Sequence, residues 1–77
     1  MALIRAISHV TKDRQGRHGP VDGGWSTFAA DGATYFQLDT YGTDERQDVS
    51  TVSQSIQLDR DRAADLISIL RQVYPDI

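Results

Sequence analysis

The sequence predicts an α+β domain in which a four-stranded antiparallel sheet is followed by one C-terminal helix, in the order ββββα. Three observations predict this class. Residues 35–41 and 53–58 alternate between apolar and polar side chains, which is typical of half-buried strands. Asp31-Gly32 stands between two apolar runs and indicates a hairpin with a tight two-residue turn. From Asp59 onward, the apolar residues recur at helical spacing.

The four strands are predicted within the first 58 residues. Residues 3–10 carry apolar and β-branched side chains on both faces, so we expect a first strand of about eight residues there. Residues 25–29 and 34–41 form the two arms of the Asp-Gly hairpin, and residues 50–58 form the fourth strand. The connection at 11–24 is rich in glycine, proline and charge, and a connection of that length is usually functional or mobile.

The helix is predicted to begin after Asp59, which is a favourable N-cap, and to end before Pro75. Its apolar side consists of Ala63, Leu66, Ile67, Leu70 and Val73, with Ile69 at the edge. Strict alternation predicts that this side covers Phe36, Leu38, Val52, Ile56 and Leu58, among which Gln54 is an odd polar member. The apolar side is wide for one sheet, so it predicts either core packing alone or a share in a dimer interface.

The opposite face of strands three and four is predicted to be polar and aromatic. It carries Tyr35, Gln37, Asp39 and Tyr41 beside Ser53, Ser55 and Gln57. Trp25 is expected to be a core or interface residue rather than a base-stacking platform, with its indole N–H bonded if it is buried.

With 77 residues, the chain is expected to form one domain, 1–77, of marginal stability. It has no cysteine, which excludes a disulfide framework or a zinc–thiolate site and fits a cytoplasmic protein. We therefore expect a homodimer to supply further stability. Arg5 interrupts the first apolar residues and no long apolar run follows, so neither a signal peptide nor a membrane span is expected.

The net charge of −3 is not that of a general phosphate-binding protein. The charge is uneven, however, because residues 1–24 have four basic and two acidic side chains, a net charge of +2, and the remainder has −5. The basic excess centres on residues 12–18. Such a cluster either contacts phosphates locally or keeps a small protein soluble.

Two motifs carry a resemblance to a known family. Leu38-Asp39-Thr40-Tyr41-Gly42-Thr43, Arg46 and then residues 53–59 resemble a family of small bacterial and phage-borne proteins of unknown function, some of which are labelled methionyl-tRNA formyltransferase. The resemblance covers roughly residues 34–75. A chain of 77 residues cannot hold the folate-binding Rossmann domain of that enzyme. Many members have Pro-Gly-Lys where this chain has residues 48–50, so it lacks one basic residue of the pattern.

The predicted order of elements also resembles, at the level of the fold, the transcriptional positive cofactor four family. Domains of that family bind single-stranded DNA as dimers, with the helices packed together and curved sheets carrying the strand. The resemblance implies that the polar face of this sheet contacts nucleic acid. This chain departs from the family in its acidic balance and in Asp39 on that face.

Single-strand binding requires aromatic platforms for bases and positive charge along the backbone. Tyr35 and Tyr41 are predicted to stack on bases. Hydrogen bonds to phosphates or base edges are expected from Gln37, Ser53, Ser55 and Gln57, and positive charge from Lys12, Arg14, Arg17 and Arg46. The same residues also suit a strand that merely faces solvent.

Other chemistries have weaker support in the sequence. Asp44, Glu45 and Asp48 offer oxygen ligands in one loop but lack the spacing of a calcium loop, so no metal or other cofactor is predicted. His9 and His18 show no ligand spacing, and no nucleophile–base set or phosphate loop is present, so no enzyme activity is predicted. The alternative to nucleic-acid binding is a protein-interaction module of a larger phage, defence or regulatory complex.

Overall fold

The computed structural model describes residues 1–42 and 51–77 and contains four strands and one helix. The elements are β1 Ala2–Leu3, β2 Gly23–Ala30, β3 Ala33–Tyr41, β4 Val52–Leu58 and α1 Arg60–Val73. The strands form one sheet in the order β1-β4-β3-β2, in which β1 is parallel to β4 and the other pairs are antiparallel. The predicted α+β class and order are confirmed, with a mixed rather than purely antiparallel sheet.

The first strand is much shorter than the predicted residues 3–10. β1 pairs only Ala2 with Ile56 and Leu3 with Gln57, and the Ile4 N–H donates the last bond, of 3.0 Å, to the Gln57 carbonyl. Because β4 ends one residue after Gln57, the chain beyond Ile4 has no strand to pair with. Residues 4–22 therefore lie outside the helix and strands and, apart from two half-buried isoleucines, are exposed.

The hairpin between β2 and β3 has the predicted two-residue turn. Asp31 and Gly32 have φ values of +52° and +77°, and a type I′ turn requires positive φ at both positions. Ala30 pairs with Ala33, so the turn fixes the register of the whole hairpin.

The helix begins and ends as the sequence predicts. The Asp59 Oδ1 accepts a 2.8 Å hydrogen bond from the Arg62 backbone N–H, and the Tyr74 N–H donates to the Leu70 carbonyl at 2.8 Å. Arg62 also ties the N-terminal segment to the helix, since its Nη1 donates to the Arg5 carbonyl at 2.8 Å. Within the described residues, no helix is long and apolar enough to cross a membrane.

The core is very small. Phe36 pairs with Leu58 and Leu38 with Ile56 on the face that the helix covers, and α1 contacts β3 and β4. Among residues 1–42 and 51–77, Leu58 is the one buried hydrophobic side chain, at 2% exposure. A domain needs a larger buried cluster than this to be stable alone.

The prediction of strict alternation along β4 is wrong at one position. Thr40 pairs with Gln54 but Tyr41 pairs with Val52, so Ser53 is an extra residue in β4 at an irregularity of the ladder. Val52 is therefore the partner of a tyrosine rather than a member of the apolar row beneath the helix.

Candidate functional site

One face of the sheet combines tyrosines with amides and a carboxylate, and we call it the tyrosine face. It consists of Tyr35, Gln37, Asp39 and Tyr41 of β3 with Ser55 and Gln57 of β4. The observed register confirms that these side chains share one face, because Gln37 pairs with Gln57 and Asp39 with Ser55. The helix lies against the other face.

A chain of hydrogen bonds crosses the centre of the tyrosine face. The Gln57 Nε2 donates to the Gln37 Oε1 at 2.8 Å, and the Gln37 Nε2 donates to the Asp39 Oδ1 at 2.9 Å. Each amide has two N–H donors, so this chain uses one from each glutamine. The bonds fix both amide planes and place a negative charge at one end, which favours donor groups on a ligand there and disfavours a phosphate.

Tyr35 is half-buried and stacks on Phe28, with the ring centroids 5.2 Å apart and the planes at 14°. The two residues are direct cross-strand partners in the hairpin. Phe28 was not predicted as a site residue, although the Asp31-Gly32 turn contained the signal, since a two-residue turn with Ala30 opposite Ala33 places position 28 opposite 35. The sequence predicts one aromatic side chain at this position, and the structure shows a stacked pair, Tyr35 with Phe28.

Tyr41 lies at the other end of β3, against the backbone of Gly24. A Cβ atom at position 24 would come within 2.6 Å of the Tyr41 Oη and 3.0 Å of its Cε2, so a larger residue there would displace the ring. The Tyr41 N–H donates to the Asp22 carbonyl at 3.0 Å. Tyr41 lies six positions after Tyr35 along β3, which is a distance of about 20 Å.

The two predicted serines differ in accessibility. Ser55 is 9% exposed and lines a shallow depression on the tyrosine face together with Gln37, Gln57 and residues 1–3. Ser53, the extra residue of β4, is exposed. Ser53 is thus accessible to solvent, whereas Ser55 is nearly buried opposite Asp39.

The predicted basic residues form a separate group. Lys12, Arg14 and Arg17 are exposed on the segment between β1 and β2. A depression there is lined by Lys12, Arg14, Gln15, Gly16 and His18, and no residue of the tyrosine face lines it. A ligand must therefore extend beyond the sheet to meet both groups.

Several other predicted residues are not part of this arrangement. Arg46 and the acidic residues Asp44, Glu45 and Asp48 lie outside the described residues. Residues 1–42 and 51–77 contain no cluster of three His, Asp or Glu side chains that could hold a metal ion. Trp25 is 72% exposed and stacks on Phe36 at 6.3 Å, which places it on the face opposite the tyrosines.

Comparisons with known proteins add no relative. No protein-family model, no curated protein sequence and no solved structure matches this chain.

The arrangement combines flat aromatic surfaces with fixed hydrogen-bonding groups on one face of the sheet. Two aromatic groups stand at the ends of a strand, and fixed amides with one carboxylate lie between them. Aromatic faces suit flat rings, and amides suit the donor and acceptor edges of bases or peptides.

Proposed function

We propose that this domain is a non-enzymatic binder of single-stranded nucleic acid that acts as a homodimer. Bases stack on Tyr41 and on the Tyr35–Phe28 pair, and Gln37 and Gln57 donate or accept hydrogen bonds between them. A strand unit about 20 Å long is long enough for several nucleotides, within the range of site sizes found for other single-strand binders.

The observation that supports this most is the pair of aromatic groups at the two ends of the hydrogen-bonded amides. Stacking on an aromatic side chain contributes about 1–3 kcal/mol per base, so two platforms together contribute about 2–6 kcal/mol without sequence selectivity. Asp39 repels phosphates at the centre of the face, so the bases rather than the backbone must face the sheet.

The phosphates then need positive charge elsewhere. Lys12, Arg14 and Arg17 are exposed, which leaves them available to phosphates that extend beyond the sheet. For single strands, each neutralised phosphate adds about −0.7 to the slope of log affinity against log salt. Three contacts give a slope of about −2, which is a loss of about 20-fold in affinity between 50 and 200 mM salt.

The test is fluorescence anisotropy of a labelled single-stranded oligonucleotide titrated with the protein at both salt concentrations, beside a duplex of the same sequence. We expect preference for the single strand and the salt dependence above. The triple variant K12A/R14A/R17A should flatten the salt slope, whereas Tyr41→Ala should weaken binding at both concentrations and leave the circular dichroism spectrum unchanged. Absence of binding at 50 mM salt would refute the proposal.

The second candidate is a protein-interaction module with no nucleic-acid contact of its own. Two observations favour it: the net charge of −3 and the carboxylate at the centre of the tyrosine face. A complex of this kind, built on apolar contact, would lose little affinity over the same range of salt. Salt dependence therefore separates the two candidates.

A further inference from the structure

The apolar side of the helix extends beyond the part that the sheet covers. Ala63, Leu66 and Ile69 are half-buried against β3 and β4. Leu70 and Val73 follow Leu66 by four and seven residues and so lie on the same side, yet they are 42% and 60% exposed. The C-terminal half of this apolar side is thus without cover from the described residues.

The apolar face of the sheet also extends beyond the helix. Leu38 is 40% exposed and Trp25 is 72% exposed, although both share the face of buried Leu58. Next to Leu38 lies a shallow depression, lined by Leu38, Thr40, Gln54, Ser55 and Ile56. Within the described residues, α1 packs on β3 and β4 and not on β2, so the helix does not reach Trp25.

The chain exposes more surface than a compact monomer of its mass, and the excess is comparable to the area buried in a homodimer. The chain exposes 6943 Å², whereas a compact monomer of 8.6 kDa exposes about 4,700 Å². The radius of gyration is 14.7 Å, against about 11.5 Å for a compact chain of this length. Residues 4–22 account for part of the excess of about 2,200 Å², and obligate homodimers bury about 1,000–2,500 Å² per chain.

Because the described residues bury only one hydrophobic side chain, the chain needs a partner on its exposed apolar surface in order to fold. A partner needed for folding must be present wherever the chain is made, and a second copy always is. We infer that a second copy of this chain covers the exposed apolar surface. In a two-fold arrangement, Leu70 and Val73 of each copy pack into the depression beside Leu38 and against Trp25 of the other.

This inference deepens the proposed function, which invokes a dimer without naming its interface. The first test is sedimentation equilibrium of the wild-type protein, with the thermal midpoint measured over a hundredfold range of concentration. We expect twice the chain mass of 8.6 kDa and a midpoint that rises with concentration. A folded monomer with a constant midpoint would overturn the inference and leave the surface to another occupant.

The second test locates the interface with substitutions in the last turns of the helix. L70K/V73K should abolish the dimer, whereas Gln72→Lys, which is exposed and lies on the other side of the helix, should retain it. Because L70K/V73K removes apolar surface on which folding depends, an unfolded variant would not locate the interface, and disulfide trapping supplies an independent readout.

The wild-type chain has no cysteine, so introduced thiols report only on their own positions. Mild oxidation of L38C/V73C should produce a covalent dimer, and oxidation of L38C/Q72C should produce far less. Equal yields from the two variants would overturn the assignment of these residues. A trapped dimer that binds no oligonucleotide would refute the proposed function alone.

Discussion

Gly24→Ala is the substitution that examines the role of Tyr41 most directly. A Cβ atom at position 24 would lie 2.6 Å from the Tyr41 Oη, and ordinary contact begins at 3.4 Å, so the ring must move by about 0.8 Å. Gly24 does not have a left-handed backbone, so alanine introduces no strain in the chain itself. The effect should therefore fall on the tyrosine and on whatever binds to it.

The magnitude follows from the stacking energy. Complete loss of one platform costs about 1–3 kcal/mol, which is a reduction of about 5- to 150-fold in affinity. Displacement without removal should give the lower part of that range, about 5-fold or more. Adding Tyr41→Phe removes the closest contact and leaves the 3.0 Å contact with Cε2, so G24A/Y41F should recover part of the loss.

Gly23→Ala is a matched control one residue away. Its Cβ would lie on the opposite face, with the Asp39 carbonyl oxygen at an ordinary distance of 3.5 Å. β2 begins at Gly23 and includes Gly24, and alanine is more favourable than glycine in a strand by at most about 0.5–1 kcal/mol, so neither variant should lower the melting temperature by more than a small amount. The assay is oligonucleotide anisotropy with thermal circular dichroism; equal affinities for G24A and G23A would show that the position of Tyr41 does not matter for binding.

Two further substitutions test the charge of the site and the start of the helix. Asp39→Asn keeps an acceptor for Gln37 but removes a negative charge, whose repulsion of a phosphate about 8 Å away in water is about 0.5 kcal/mol. Oligonucleotide affinity at low salt, measured by anisotropy, should therefore rise about two- to threefold. An unchanged or lower affinity would contradict the electrostatic argument. Asp59→Ala removes the N-cap hydrogen bond from the Arg62 N–H at a cost of about 1 kcal/mol, which should lower the melting temperature of a domain this small by about 4–8 °C. Asp59→Asn should lower the melting temperature little, because asparagine caps a helix equally well. Equal melting temperatures for the two variants would show that the cap does not contribute to stability.

The features that the sequence predicts correctly are those determined by neighbouring residues. The Asp31-Gly32 turn depends on two backbone conformations, and the helix start depends on an acceptor at Asp59 three residues before its donor. Alternation along β3 likewise assigns the tyrosine face without reference to the rest of the chain. Local signals of this kind are independent of what the chain packs against.

The features missed depend on distant parts of the chain. The length of β1 is set by where β4 ends, at Leu58, and nothing within residues 3–10 contains that information. The extra residue Ser53 shifts the pairing of Val52, and a strict period of two cannot anticipate it. The basic residues are separated from the tyrosine face by the path of the connection between β1 and β2. No local pattern in the sequence predicts that path.

The two surfaces for which we propose partners lie on opposite sides of one sheet. Successive side chains along β3 point to opposite faces, so Tyr41 and Leu38 cannot serve the same ligand. A second copy that covers Trp25 and Leu38 therefore leaves the tyrosine face of each chain exposed. Substitution of Tyr41 leaves the opposite face unchanged and should retain the dimer, whereas loss of the proposed dimer should also weaken nucleic-acid binding, because the second copy would stabilise the sheet that positions the tyrosines.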